Sequence, residues 1–442
     1  MKCSTEMEKR DEQEAMKGWE KVVAGIGIDL EQSAREAKAI QRRRGIRNGK
    51  DLLRLVMMYA LRDWSLRMVG LWAVLVNIGY MSDVAVMKRI QKSRKWIGRL
   101  ISAILQRRCS ACQSIPGVRL RIMDATTVSG PASRGADWRA HLCFDLGDMC
   151  LDGIELTDGS GGESLLRFEA QVNEVRIVDG GYPSARGMGP MLLKGSGLIV
   201  RINWRNVSVR TSDNKRFDII SWLRNISAPT ETHVWLDTPQ GWFQLRLLAN
   251  PLPLTRAEEA RRKLRSRNEK KGIKTSDETL FAAGFVLLLT NLPAAVWPVQ
   301  LIFSLYRLRW QIEIQIKRLK SLLHFDCLRT KNPDLAQTYL LAKLLAALII
   351  DQCHQVISIC QPDWFSSLDR PANYSRLTQF HLEFLHQSIT GAWKPSVVKN
   401  LLIILRRYLC DSPRARPQHL AWGRALAYHL SISSAFFSAF AP

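Results

Sequence analysis

The stretch YRLRWQIEIQIKRLK, residues 306–320, sets a single glutamate, Glu313, among Arg307, Arg309, Lys317, Arg318 and Lys320. At 100° per residue, a helix here gathers Tyr306, Arg309, Glu313, Lys317 and Lys320 within about 80° of one another. Leu305, Leu308, Ile312, Leu319 and Leu323 fall on the opposite side, the apolar stripe of a helix docked on a core. One stripe is therefore greasy, and the other carries a carboxylate flanked by cations. On an ordinary solvated helix, a Glu313–Lys317 pair adds only about 0.2–0.5 kcal/mol. Whether this face does more depends on what the rest of the chain brings to it.

The chain's 442 residues are enough for roughly two to four domains with real cores. Its 46% hydrophobic and 24% charged residues are ordinary for a globular protein. The sign of the charge is not ordinary: 64 Lys and Arg against 40 Asp and Glu leave a formal +24. A surplus of this size points to a polyanion, and nucleic acid is the leading partner. An anionic membrane is the rival, but MVGLWAVLV (68–76) and LLAALII (344–350) fall well short of the ~20 apolar residues of a spanning helix. The opening MKCSTEMEKRDEQEAMKGWEK is charged throughout and does not read as a signal peptide. A cytoplasmic protein with no membrane association is expected. Nine scattered cysteines, an odd number, argue against a disulfide framework. Cys109 and Cys112 form a lone Cys-x2-Cys, for which only His141/Cys143 and Cys353/His354 offer a second ligand pair; free thiols are the expectation.

Residues 1–115 read as helical and strongly basic, with QRRRGIRNGK (41–50) and then Lys88, Arg89, Lys92, Arg94, Lys95, Arg99, Arg107 and Arg108. Such short basic helices suit a DNA-binding module. MSDVAVMKRIQKSRKWIGRLISAILQRR reads as one helix capped by Ser82 or Asp83. Residues 116–204 turn to strand patterns: GVRLRIMDATTV sets Val118, Leu120 and Ile122 against Arg119 and Arg121, the alternation of a half-buried strand. HLCFDL, CLDGIELTD, VNEVRIVDGGY and LIVRINW follow. Residues 205–283 hold HVWLDT and WFQLRLLAN, then a strongly basic helix, TRAEEARRKLRSRNEKKGIK. The strand FVLLLTN opens 284–355 ahead of the 306–320 helix, and 356–442 reads helical and apolar.

Asp124 closes RLRIMD and Asp179 closes EVRIVD, each a lone acid after buried aliphatic residues. Acids at strand ends, with a third on a nearby helix, are how a small sheet gathers carboxylates about hard cations. Magnesium takes a few carboxylates and keeps places for water and phosphate, and two such ions stabilise both oxygens of an in-line displacement on phosphorus. Glu313 would supply the third acid, on a face whose cations hold the DNA backbone.

The spacing Tyr-x2-Arg-x3-Glu-x6-Lys, carried here by Tyr306, Arg309, Glu313 and Lys320, resembles the signature of bacterial DDE transposases of the insertion-sequence-four family. MDATTV and VDGGYPSA resemble the motifs of that family's first two acids. The resemblance covers roughly residues 45–360. It implies an α/β fold: an RNase H-like catalytic core in two parts (116–204 and 284–355), a β-rich insertion at 205–283, and helical regions on either side. The 1–115 region would bind DNA, and 356–442 would contribute to oligomerisation. It also implies that Asp124, Asp179 and Glu313 are catalytic metal ligands for two Mg²⁺ ions, replaceable by Mn²⁺. Tyr306, Arg309, Lys317 and Lys320 would contact the transposon end. Double-stranded DNA, both element ends and target, would be the partner of a homodimer that cleaves and transfers strands. A nuclease of the same core without strand transfer, or a catalytically dead DNA-binding relative, is the alternative. Two departures stand out: Gly180 replaces a basic residue common after the second acid, and Phe285–Val286 stand where hairpin-forming relatives place a Trp.

Overall fold

The structure is a computed structural model that describes residues 18–42, 45–113, 118–171, 173–366, 372–392 and 400–411. Its strands are β1 Arg119–Val128, β2 Trp138–Asp145, β3 Cys150–Asp158, β4 Glu174–Val178, β5 Gly197–Arg201, β6 Val209–Arg210, β7 Thr230–Thr238, β8 Gly241–Pro251 and β9 Phe285–Thr290. They form one nine-stranded mixed sheet in the order β3-β2-β1-β4-β5-β9-β8-β7-β6. β1, β2 and β3 are antiparallel neighbours, and β4 and β5 run parallel to β1. β9 returns antiparallel against β5 and joins the β8–β7–β6 meander to the same sheet.

Alternation along these strands feeds two cores. Ile122, Val175, Ile177, Ile199 and Leu288 face one layer, which includes Trp19, Leu52, Trp96 and Leu344 from the helices at both ends of the chain. Met123, Val178, Val200 and Leu289 face the other, closed by the helices Ala185–Leu193 and Ile219–Arg224. The helices Gly49–Arg62, Asp83–Lys92 and Arg94–Gln113 thus share one core with the sheet and with the Pro333–Cys360 helix. Severing them would bare that face.

Three details depart from the periodic reading. First, the basic helix after residue 82 is capped by Ser82 but breaks at the fully buried Ser93, which ends Asp83–Lys92 before Arg94–Gln113 begins. Second, Arg121 is not on a wet face. It is 4% exposed and bonds to Asp152 at 2.7 Å and Glu174 at 3.1 Å, while Glu174 also pairs with the fully buried Arg176. Third, residues 306–320 are two helices, Val299–Arg307 and Trp310–Leu323, joined through a tight turn at Leu308 and Arg309. Four i→i−3 bonds, from Leu308, Arg309, Gln311 and Ile312, mark that turn, for example Arg309 N–H to Tyr306 O at 3.1 Å and Ile312 N–H to Arg309 O at 3.2 Å. Its apolar stripe is as expected, with Leu305, Leu308, Ile312, Leu319 and Leu323 all buried.

Pro333–Cys360, capped by the Asn332 side chain, is the one helix among the described residues long and apolar enough to cross a membrane. That is a longer apolar helix than the run LLAALII suggested, and 67% of its most apolar window is buried inside the protein. Fully buried Lys343 stays charged-paired there, with Asp63 at 3.4 Å and the His324 carbonyl at 2.9 Å. Near its end His354 meets His381 of the Tyr374–Thr390 helix, ring centroids 4.9 Å apart. Burial pushes His381 down to about 4 and His354 further below its ordinary value, so both imidazoles are neutral in the fold. A depressed folded-state pKa supplies stability that is complete above about 6.5 and is lost as pH falls towards the folded value. Exchanging His381 for Phe should therefore flatten the acid side of the stability curve. Between pH 6.5 and 4.5 the urea-unfolding free energy of the variant is expected to fall by about 2–3 kcal/mol less than that of the parent. Parallel curves would count against the buried neutral pair.

Cys143, Cys150, Cys327, Cys353, Cys360 and Cys410 are free thiols. The side chains of Cys109 and Cys112, like the segment 412–442, lie outside the described residues.

Candidate active site

The parallel ladder between β1 and β4 ends at the pair Met123–Val178. Asp124 and Asp179 are the next residues on each strand, so both stand where the two strands part. Asp124 is not a strand terminus, as its sequence position suggested: β1 runs on to Val128, held by β2 alone. Asp124 shares its face with Ile122, the face on which the Trp310–Leu323 helix packs, and that helix brings Glu313.

Arg309 is what the three acids meet. Its guanidinium lies 2.5 Å from Glu313 Oε1, 3.7 Å from Asp124 Oδ2 and 3.9 Å from Asp179 Oδ2. The tight turn explains the aim: at three residues per turn, positions i and i+3 eclipse, so Tyr306 and Arg309 project together. Tyr306 donates its hydroxyl proton to Asp179 Oδ1 at 3.0 Å, and Arg201 approaches the same oxygen at 3.5 Å. Lys317 is exposed and Lys320 half-buried along the same helix. Arg318, by contrast, turns inward: it donates to Gln315 at 3.2 Å and lies over the Tyr374 ring.

The two aspartates differ electrically. Burial pushes Asp124 up to about 6, because the Ala125 N–H and the long contact to Arg309 only partly offset it. Burial acts on Asp179 as well, but Arg309, the Gly180 N–H, Arg201 and Tyr306 outweigh it and hold its carboxyl below the ordinary value. The phenol of Tyr306 is raised to about 12 by burial and by Asp179. Arg309 is itself held more firmly charged than usual: burial opposes its charge, and Asp179, Tyr306 and Glu313 overcome it.

As donors, three carboxylates suit a hard divalent cation. With Arg309 between them, however, no three Asp, Glu, His or Cys side chains among the described residues close to metal-binding distance. The three carboxylates are the donors a hard divalent cation would need, and in this structure the Arg309 guanidinium stands among them.

Two further features were not singled out by the spacing. Glu163, from the loop after β3, comes close enough to Asp124 for its charge to raise that acid. The basic helix Leu254–Glu269 springs from the acids' own edge of the sheet. It follows the end of β8, where Pro251 pairs with Phe285 at the start of β9, beyond the C-terminal end of β5. Arg262, Arg265 and Arg267 on it are exposed, with Lys270 and Lys271 just beyond. On the N-terminal helices, Arg42, Lys88, Arg89 and Lys92 line a groove.

Residues 116–349 match the family model described as Transposase DDE domain. The chain is 40% identical over 347 residues to the protein named transposase InsL for insertion sequence element IS186A of Escherichia coli K12, covering 76% of this chain and 94% of that one. It is 39% identical over 348 residues to the transposase for insertion sequence element IS421 of Escherichia coli, with the same coverage. The transposase for IS231F of Bacillus thuringiensis subsp. israelensis is 26% identical over 361 residues, or 72% of this chain and 75% of that one.

Proposed function

This chain belongs to the DDE transposases of insertion sequences, enzymes of DNA transposition, and we propose that Asp124, Asp179 and Glu313 are its catalytic carboxylates. One observation carries the assignment: three acids from β1, the end of β4 and a distant helix all reach a single guanidinium, that of Arg309. The order β3-β2-β1-β4-β5, with the acids where β1 and β4 part, supports an RNase H-like core, and β6 to β8 support the β-rich insertion. Enzymes of this family use divalent metal ions. Here Mg²⁺ is the proposed metal, two ions held by the three acids and replaceable by Mn²⁺, which would polarise the scissile phosphate and activate the attacking oxygen. Arg309 holds the acids together until DNA arrives and then turns its charge to the phosphate at the element's end. Tyr306 keeps Asp179 oriented and ionised by donating to it.

The proposed partner is duplex DNA, both element ends and target. Lys317 and Lys320 would follow the backbone beside the acids, and the groove of Arg42, Lys88, Arg89 and Lys92 would receive the end. A homodimer on DNA is supported by an apolar surface near the C-terminal end of the described residues. Leu402, Ile403 and Tyr408 are exposed there, as are Val356 and Ile359.

The direct test incubates the protein with Mg²⁺ and duplexes carrying the terminal sequence of its own element. Nicks mapped at the element boundary, followed by joining of pre-cut ends to a second duplex, are the expected products. A native gel shows whether one complex holds two ends. Random nicking without joining would replace the transposase with a nuclease.

Alanine at Lys317 or Lys320 should flatten the salt dependence of end binding by about one unit per lost phosphate contact. Exposed Arg307 is the control and should cost less. Arg318 cannot serve as one, because its inward bonds make Arg318→Ala a stability variant. Equal losses at Arg307, Lys317 and Lys320 would mean that diffuse charge, not a placed helix face, is what the DNA meets.

A further inference from the structure

We infer that the basic helix Leu254–Glu269, with Lys270 and Lys271 beyond it, binds the duplex that flanks the element, across the cut from the element's own end. The inference rests on the three acids being the cleavage site and on the N-terminal groove receiving that end.

Residues 261–274 hold eight Lys and Arg against Glu269 alone. At 100° per residue, Arg256, Arg262, Lys263, Arg267 and Lys270 fall within about 140° of one another, and Ala257, Leu264 and Asn268 take the opposite side. That inner side fastens the helix. Ala257 is buried, Arg261 donates to the Leu280 carbonyl at 3.1 Å, and Asn268 donates to Thr275 Oγ1 at 2.8 Å. At the root, Leu252 N–H donates to the Gly284 carbonyl at 2.8 Å. The outer face changes character along its length. In the first half Glu259 pairs with Arg256 at 3.2 Å and with Lys263 at 2.7 Å. In the second half Arg262, Arg265, Arg267, Lys270 and Lys271 are exposed, and among the described residues none has an ion pair or a side-chain hydrogen bond. Lys263, Arg267 and Lys271 follow one another at four-residue steps, a spacing at which like charges weaken a helix. Arg262, Lys263, Ser266, Arg267, Lys270 and Lys271 line one groove of about 550 Å³. A row of cations that repel one another is explained by a polyanion laid along it.

Position decides which stretch of DNA this is. The Asp83–Lys92 helix carries Lys88, Arg89 and Lys92 of the N-terminal groove, and it is tied to the acids' edge of the sheet on the β1 side. Gln91 donates to Asn332 Oδ1 at 2.9 Å, Arg94 pairs with Asp334, and Cys327, a few residues earlier, bridges Ser129 just past the end of β1. Arg108 and Asp351 hold the Arg94–Gln113 and Pro333–Cys360 helices to Leu151 of β3. The basic helix leaves β8 at the same edge, and β4, β5 and β9 lie between β1 and β8. The acids thus stand between two basic surfaces. A duplex with its end in the groove and its scissile phosphate at the acids continues across β5 and β9 towards this helix. Arg and Lys on phosphates read no bases, which fits a flank whose sequence is not fixed.

The test uses the full-length protein with an element end that continues into flanking duplex, the same end pre-cut at the boundary, and random duplex. Arg262→Gln, Arg267→Gln, Lys270→Gln and Lys271→Gln are combined in one variant, which loses no described protein contact. Its binding to the flanked end should become less salt-dependent, by about one unit of slope per lost phosphate contact and roughly two or more in all. Its binding to the pre-cut end should match the parent. A second readout needs no variant: on the parent, the flanked end should shield Lys270 and Lys271 from acylation, and the pre-cut end should not. Equal losses on both ends would assign the helix to the element itself. Unchanged slopes on both, with Lys270 and Lys271 equally reactive, would take it off the DNA. Parent-like binding of the flanked end, with capture of a second duplex lost by the pre-cut complex, would assign it to target DNA. Each of these overturns the inference. A parent that binds the element end no better than random duplex overturns the underlying reading, and the inference with it.

Discussion

Asp124→Asn should reduce strand cleavage at the element end about 10³-fold or more and leave end binding nearly unchanged. Metal-assisted phosphoryl chemistry draws several kcal/mol from the bound cations, and each 1.36 kcal/mol is a factor of ten in rate. Affinity comes instead from Lys and Arg on phosphates, none of which this exchange removes. Asparagine keeps the shape of the site where β1 parts from β4, and the contact to Arg309 that it weakens is already long, at 3.7 Å. Asp179→Asn and Glu313→Gln are expected to behave alike in cleavage but not in geometry. Asp179 also receives Tyr306, and Glu313 is the partner closest to Arg309. Single-turnover cleavage on saturating end DNA is the measurement. Parent-like rates in any one variant would remove that acid from the catalytic set.

The largest loss of stability is expected at the opposite end of the same strands, from Glu174→Ala. Glu174 is fully buried at the start of β4 and binds both Arg121 and Arg176. Around them Arg119 bridges Asp145 at 2.6 Å and Asp152 at 2.9 Å, and Arg121 bonds Asp152. Removing one partner of a buried ion pair leaves the other charged in a medium that cannot solvate it, which costs about 3–5 kcal/mol. Guanidinium groups do not escape by deprotonating. Glu174→Gln retains an acceptor and should cost less. Urea midpoints at fixed pH compare the two, and a loss under about 1 kcal/mol for alanine would show that water reaches the network.

That network marks the limit of what periodicity reveals. The alternation in RLRIMD located β1 and its apolar face, because Leu120 and Ile122 each follow an arginine. It could not show that Arg121 faces inward, since the compensating acids, Asp152 and Glu174, arrive from other strands. The site was more legible. Asp124, Asp179 and Glu313 stood out as lone acids after aliphatic runs and within a rare spacing, and the fold gathers them about Arg309. What the wheel drawn through 306–320 missed was the break at Leu308–Arg309, which has no proline or glycine to announce it. Glu163 was hidden for a different reason: it lies against Gly181, two residues past Asp179, and nothing local to GGESLL signals that approach.

The seam between β5 and β9 carries a mechanical consequence. Arg201 and Leu288 pair across it, so the sheet has no hinge between the strands that hold the aspartates and those that carry the basic helix. Three strand spacings separate β4 from β8, which at ~4.8 Å each amounts to roughly 14 Å. Along B-form DNA, with a rise of about 3.4 Å per base pair, that is close to four base pairs. A duplex laid across this plate with one phosphate at the proposed acids would meet β8, at the root of the basic helix, about four base pairs further on, a separation set by the backbone ladders of the strands between.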